Sequence, residues 1–354
     1  MTPSHCIVIG GGLAGASAAA SLARRGWQVT VIDRAAEPAA GASGLPAGLF
    51  APHVSPDDAP LSRLTRAGLH TTRQWAQALL TEGVDWSPSG VLEHCVEKKR
   101  RLPPSLDAAW SAPASAGQRA AAGLPTDAPA LWHASGGWLR PARLVAALLA
   151  QPGIQWRGGV HAAQVERAAD GLWRVAGLTA PLVVIATGAG SMDLCPELPL
   201  RPLRGQVSWA RGSAAPPFPV NGHGNFIPRA RDEHGYFWLM GSTFERGETQ
   251  AAKPPAEEAA GHAVNMDKLR TLLPGLAALQ PQYAWSGIRC TVPDRMPIVG
   301  PLAQGLWTST GMGTRGITLA PLCAELLAAR LHGEPLPLED KLARALAAER
   351  FLKS

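Results

Sequence analysis

"HCIVIGGGLAGASAAASLARRGWQVTVIDR", residues 5–34, decides how this chain begins to fold. "CIVIG" is a β-branched run too short for a helix and typical of a strand buried on both faces. Gly10, Gly12 and Gly15 follow as G-x-G-x-x-G, and "LAGASAAASLARR" has the small side chains of a helix that must lie close to a sheet. Gly26 suits the left-handed cap of that helix, and "QVTVID" is a second strand that stops on Asp33. In such a unit Gly10 makes the tight turn and Gly12 lets backbone approach a pyrophosphate at the positive end of the helix. Gly15 permits close helix packing, and Asp33 accepts from ribose hydroxyls. The bare motif is weak, but strand, loop, helix, strand and acid in this order identify a dinucleotide-binding unit. An acid at the end of the second strand favours NAD or FAD over NADP. A methyltransferase-type glycine turn is the rival for this stretch taken alone, and the downstream sequence decides against it.

Composition narrows the class. The 354 residues suffice for two domains, and 46% hydrophobic with 17% charged residues is ordinary for a globular chain. Five cysteines, odd in number and without C-x-x-C, suggest neither a disulfide framework nor zinc, which fits a reducing cytoplasm. Ten histidines contain no H-E-x-x-H, so no metal is expected. No basic leader precedes the first apolar run and no window reaches the ~18 apolar residues of a membrane span, so neither export nor a membrane is expected. The net charge of +6 permits an anionic partner without demanding one.

Along the chain, "AAEPAAGASGLPAGLFAPHVSP" is too long for a simple connection. "LSRLTRAGLHTTRQWAQALL" reads as an amphipathic helix, and Arg101 to Gly137 as irregular structure. A helix is expected near Pro141 to Ala150, a strand near "IQWRGGV", a hairpin about Asp170-Gly171, and a buried strand in "PLVVIATGAGS". Mixed strands fill Arg204 to about Tyr283. In the last third "LWTST" is a strand, "GMGTRG" a second glycine loop, and Thr318 to His332 a helix with Pro321 in its first turn. A glycine loop feeding a helix N-terminus offers a second place to stabilise negative charge. The expected fold class is α/β, α+β overall. A Rossmann-like FAD-binding domain (1–85, 138–204, 286–354) alternates with a discontinuous, sheet-rich substrate domain (86–137, 205–285).

The chain resembles, end to end, the D-amino-acid oxidase (DAO) superfamily of FAD-dependent amine oxidoreductases in its glycine oxidase-like branch. Within that branch it is most similar to the oxidase half of the bifunctional tRNA 5-methylaminomethyl-2-thiouridine biosynthesis proteins. The resemblance rests on "GASGLPAG" after Asp33, "GGWLRP" at 136–141, "LRGQVS" at 203–208, "MGSTFERGET" at 240–249, "GIRCTVPDRMPIVG" at 287–300 and "GTRGITLAPLCAELLAARL" at 313–331. It implies non-covalent FAD lying extended across the first domain. Gly10, Gly12, Leu13, Ala14, Gly15, Asp33 and Arg34 would hold the ADP part, and Ala42, Ser43, Gly44 and Gly48 would meet the pyrophosphate and ring. Val160 would lie on the adenine side, Thr187 and Gly188 at the ribityl region, and Gly311, Gly313, Thr314, Arg315 and Gly316 at the pyrimidine edge of the flavin. Arg289 matches the family's carboxylate-binding arginine. Together with Arg315 and Asn225, which stands where the family usually has a substrate-contacting tyrosine, it makes up the implied catalytic set.

What the resemblance implies chemically is hydride transfer from a CH–NH group to flavin N5, followed by hydrolysis of the imine. The implied partners are a small-molecule amine or modified tRNA as substrate and O2 as electron acceptor. A methyltransferase activity is not expected, because the chain opens on the FAD strand. "EKKRR" at 97–101, with Arg63, Arg66 and Arg73, is a candidate basic face for RNA. Three functions stay open: a tRNA-directed oxidase, an oxidase of free small amino acids, and a flavin-bound scaffold without turnover.

Overall fold

The computed structural model describes residues 2–96 and 101–352. The chain forms two compact units, one from Met1–Gly44, Pro141–Leu203 and Ile288–Ser354, the other from Leu45–Arg140 and Arg204–Gly287.

The first unit is built on a six-stranded sheet: β1 (His5–Ile9), β2 (Gln28–Ile32), β3 (Ile154–Arg157), β4 (Leu182–Ile185), β5 (Ile298–Ala303) and β6 (Leu306–Thr310). Its strand order is β5-β6-β4-β1-β2-β3. Every neighbouring pair is parallel except β5 with β6. β1 is a near-continuous apolar run because it is central: Ile7 stands opposite both Thr30 and Val183. Ile7, Ile9, Ile32, Val183 and Ile185 form one core. Helix α1 (Leu13–Ala23) packs against α2 (Pro141–Leu149) and α3 (Gly316–His332). Its Ala16, Ala18, Ala19 and Ala20 are wholly buried, so larger side chains there would hold the helices apart. Polar groups tie α1 to α3 and the turn beyond it: Ser21 donates to Glu325 at 2.7 Å, and Arg25 pairs with Glu325 and Glu334. The hairpin expected about Asp170-Gly171 is present, with Gly171 at φ 81°, and it extends into a three-stranded sheet of Glu166–Arg167, Trp173–Val175 and Leu178–Ala180.

Two local expectations need correction. α1 ends at Ala23, and Gly26 takes its left-handed φ of 87° in the turn beyond. α3 starts at Gly316 because a 3-10 turn over Gly313–Arg315 runs directly into it. Pro321 therefore lies in the second turn, inside the helix, where one backbone hydrogen bond is forgone.

The second unit holds a mostly antiparallel sheet whose main strands are Arg201–Arg211, Gly224–Asp232, Gly235–Gly241, Val91–His94 and Ala130–His133. Helix Pro255–Leu272 packs on it through Met266, Leu269 and Leu272, which meet Leu92, Phe226, Trp238 and Met240. Strand Gly48–Phe50 pairs with Gly137–Leu139, which pairs in turn with Trp86–Ser87. That small sheet draws residues 45–85 into the second unit, although the sequence groups them with the first. The expected amphipathic helix is there, over Pro60–Leu79. Arg101 to Gly137 is more regular than expected: it contains a helix, Ala116–Ala121, closed by a capping box of Ser115 and Gln118, and the strand Ala130–His133.

Candidate cofactor site

The five mutually parallel strands of the first unit place their carboxyl ends on one edge of the sheet, and a candidate residue follows each of them. Gly10 follows β1, Asp33 follows β2, Val160 lies beyond β3, Thr187 beyond β4 and Gly311 beyond β6. After β1 the chain adds β2 and β3 on one side, then returns to add β4 on the other. The crevice at such a reversal is where open parallel sheets bind nucleotides.

The first glycine loop is closed on itself. Gly10 has φ 114°, and a Cβ there would come within 2.4 Å of the Ala186 carbonyl oxygen. A Cβ on Gly15 would lie 1.8 Å from the Gly10 oxygen, so the first turn of α1 presses directly on the loop. Gly12 is different: its φ is −89°, and its Cβ would meet only the Ser43 side chain, with Oγ at 3.1 Å. It is the half-open position of the loop. Gly12 at the N-cap of α1 has no side chain to cap the helix, and the first helical amide, the Leu13 N–H, donates instead to Ser43 Oγ at 2.9 Å. Ala42–Gly44 forms a 3-10 turn that carries this serine. Asp33 braces the loop, accepting from the Gly11 N–H at 2.7 Å and the Ala35 N–H at 2.8 Å. Val160 donates its N–H to the Asp33 carbonyl at 2.8 Å. Ala14 is half-buried and Arg34 exposed.

The second loop is joined to the end of β4 by hydroxyls. Thr310 donates to Ser191 Oγ at 3.0 Å, and Ser191 shares a 3.0 Å hydrogen bond with Thr187. Gly188, at φ 56°, sits in the turn between them. Gly311 is at φ 71°, with the space for a Cβ filled by Val292 at 2.4 Å. Gly313, Thr314 and Arg315 form the 3-10 turn, and Gly316 opens α3, whose own N-cap residue makes no cap bond either. Burial lowers the pKa of Arg315, assisted by the charge of Arg295. Arg295 itself sits at φ 61° in an exposed turn. Arg289 is half-buried on strand Tyr283–Thr291. Its neighbour Cys290 is buried and its pKa is raised by that burial, which keeps the thiol protonated and unreactive. Cys195 and Cys323 are pushed up to about 12 by the same cause.

These residues fit FAD. Two glycine cradles that a Cβ would fill, two helix N-termini whose own N-cap residues make no cap bond, and an acid at the end of β2 are the features a dinucleotide's phosphates and ribose require. Two residues of the site carry no distinguishing signal in the sequence. Gly11 is one: a Cβ there would strike the Trp156 ring at 2.5 Å. Trp156 is the other; it lies against the loop from β3, with its Nε1–H donating to the Ala36 oxygen at 3.3 Å.

Gly48 and Asn225 belong to the second unit. Gly48 is buried opposite Leu139, and Asn225 is exposed opposite Asn221 and Gly241. The expected basic face is only partly available: Arg66 is held by both oxygens of Asp58 at 2.7 and 2.8 Å, and Arg73 by the Ser135 carbonyl. Residues 97–100 of "EKKRR" lie outside the described residues. Arg204 is spent inside the second unit, on Glu245, Ser286 and the Ala251 carbonyl. Among the described residues no His, Cys, Asp and Glu cluster could hold a metal, and no helix is long and apolar enough to cross a membrane.

Comparison with known proteins agrees with the geometry. The chain is 55% identical over 99% of its length to the tRNA 5-methylaminomethyl-2-thiouridine biosynthesis bifunctional protein MnmC of Paracidovorax citrulli, and 51% identical over 99% to that of Delftia acidovorans. It spans 61% of the length of each. Among solved structures, glycine oxidase from Bacillus cereus superposes with a TM-score of 0.77 at 20% identity, covering 99% of both chains. Glycine oxidase from Geobacillus kaustophilus gives 0.75 at 20% identity, covering 94% of this chain and 96% of that one. Residues 5–330 match the family model described as FAD dependent oxidoreductase, and the chain belongs to that DAO family.

Proposed function

We propose that this enzyme oxidises the CH–NH bond of a glycine-type amine, and that the amine is the carboxymethylaminomethyl group on the wobble uridine of tRNA. The observation that carries the reading is the 55% identity over 99% of the chain to a protein named for tRNA modification. Bound FAD supplies a two-electron, hydride-accepting oxidant. Loss of hydride from the carbon between nitrogen and carboxylate leaves an imine, which water splits into glyoxylate and a primary amine, here 5-aminomethyl-uridine. The nitrogen lone pair drives this loss when the amine is neutral, so the protein's task is mainly positioning.

Arg289 takes the substrate carboxylate, and its planar fork fixes both charge and orientation. Arg315, half-buried and with a second cation, Arg295, acting on it, favours anionic groups beside it. Gly10, Gly12, Gly15 and Asp33 hold the ADP part, Thr187 and Gly188 the ribityl chain, and Gly311 to Gly316 the pyrimidine edge. Asn225 alters the substrate side relative to the usual tyrosine. O2 is the proposed electron acceptor.

A second reading, an oxidase of free glycine, sarcosine or D-amino acids that produces hydrogen peroxide, is favoured by the likeness to glycine oxidases. Anaerobic mixing of the yellow protein with tRNA bearing the carboxymethylaminomethyl group, with glycine and with sarcosine separates the two. Bleaching of the flavin by the tRNA alone supports the first; bleaching by the small amines and not by tRNA overturns it.

A further inference from the structure

The hairpin made by strands Gly224–Asp232 and Gly235–Gly241 in the second unit ends in positive charge that its own acids do not neutralise. Arg231 stands opposite Tyr236 in the strand register, so their side chains leave the same face. The register shifts between Ile227 and Ala230, a bulge that re-aims the residues within it, Arg229 included. The Arg229 guanidinium carbon lies 4.0 Å from the centroid of the Tyr236 ring, and that of Arg231 5.6 Å. Tyr236 is 38% exposed, and both arginines are exposed. The acids of the turn are engaged elsewhere. Asp232 binds Arg211 at 2.7 Å, and Glu233 lies 3.6 Å from Arg140 and 3.9 Å from His234.

A cation over an exposed ring gains only ~0.5–1 kcal/mol. What it changes is placement: both guanidinium groups are drawn to the Tyr236 ring and hydroxyl, which gathers two planar donor forks at one point of the hairpin. Two such forks beside one exposed ring match a polyanion that alternates phosphates with flat bases. An acidic peptide supplies the charge without the regular alternation of charge and flat ring that a nucleic-acid strand has.

We propose that this hairpin tip grips the RNA substrate, with Arg229 and Arg231 on backbone phosphates and Tyr236 against a base or sugar. The proposal rests on the reading of tRNA as substrate. None of the three residues belongs to the cofactor site, so their loss leaves flavin loading intact.

The test is binding of transcribed tRNA to the flavin-loaded protein across a salt series, with flavin absorbance and thermal melting as controls. The double variant Arg229→Ala/Arg231→Ala is expected to bind roughly tenfold weaker near 0.1 M salt. Its dependence of log K on log salt is expected to be shallower by about 1.5, as two lost phosphate contacts require. Tyr236→Ala should weaken binding with the slope unchanged, and Arg229→Lys/Arg231→Lys should restore the slope. Wild-type affinity and slope in the double alanine variant overturn the assignment of this surface while leaving tRNA as substrate. Absence of tRNA binding by the wild-type protein overturns both. Should the double alanine variant lose flavin or melt early, Tyr236→Ala decides, and wild-type affinity in that variant overturns the proposal.

Discussion

Gly12→Ala and Gly15→Ala separate what the first loop does for the fold from what it does for the cofactor. A methyl on Gly15 would stand 1.8 Å from the Gly10 carbonyl oxygen, so α1 must back away by roughly an ångström or more. Overpacking of this kind costs about 1–3 kcal/mol, which lowers the melting temperature of a domain this size by about 2–4 °C per kcal/mol. A methyl on Gly12 meets only Ser43 Oγ at 3.1 Å, with a backbone φ of −89° that alanine adopts freely. Its cost to the apoprotein should stay below about 1 kcal/mol, since the neighbour need give only slightly. The same methyl stands where a pyrophosphate has to approach the loop, so FAD affinity should fall about 10- to 100-fold, or about 1.4–2.8 kcal/mol. Thermal melts of the two apoproteins and titration of each with FAD, followed by quenching of flavin fluorescence, give both numbers. A Gly12→Ala protein that binds FAD as tightly as wild type refutes the placement of the pyrophosphate. A Gly15→Ala apoprotein that melts with wild type refutes the contact between helix and loop.

Three further outcomes are expected. Arg289→Ala should lower kcat/KM for a carboxylated amine by about 10- to 100-fold, mostly through KM and with flavin retained; an unchanged KM removes Arg289 from carboxylate binding. Burial lowers the pKa of His332, whose Nε2 accepts from Trp27 Nε1–H at 2.9 Å only while unprotonated. The unfolded chain takes up this proton first, so the contribution is complete above the unfolded value of 6.5 and shrinks as pH falls from there toward the folded value. Wild type should therefore lose more melting temperature than His332→Gln between about pH 7.5 and about pH 5.5, and equal losses contradict the assignment. In the second unit, His133 is fully buried between Ser111 at 2.8 Å and Glu93 at 3.1 Å. His133→Phe should cost about 2–4 kcal/mol in urea unfolding, because it breaks a buried network; a cost within about 0.5 kcal/mol rules that out.

The elements that could be read from the sequence are those whose side chains follow a period or whose glycines are sterically obligatory. β1, α1, β2 and the loop at Gly10 announce themselves in thirty residues. Helix Pro255–Leu272 does not, although proline begins it and Glu257 and Glu258 sit in its first turn. Its buried side includes Gly261 and Asn265 as well as Met266, Leu269 and Leu272. Asn265 donates to the Gln206 carbonyl and Ser208 Oγ, and a Cβ on Gly261 would strike the Gln206 side chain at 2.5 Å. A polar network replaces part of the apolar stripe, so a hydrophobic period is missing where the helix is nonetheless well packed. The short helix Ala116–Ala121 is a different case: its signal is Ser115 with Gln118 three residues on, a pair easily passed over in an Ala- and Pro-rich stretch.

The site divides along the same line. Gly10, Gly15 and Gly311 are legible because each has a neighbour or a φ that no other residue tolerates. Asp33 is legible as an acid in the right place, but its hold on the Gly11 and Ala35 amides is not, since it depends on how the loop closes. Trp156 could be recognised only from the register, where it stands opposite Val31 and so reaches the loop after β1. Convergence of the five strand ends is likewise a property of strand order. Thr187 comes some 180 residues after Gly10, yet its Cα is 3.1 Å from where a Gly10 Cβ would stand, because β4 returns to pair with β1 on the side opposite β2. Motifs thus name the residues one by one, while a reversal in strand order, which no local pattern encodes, makes them a single site.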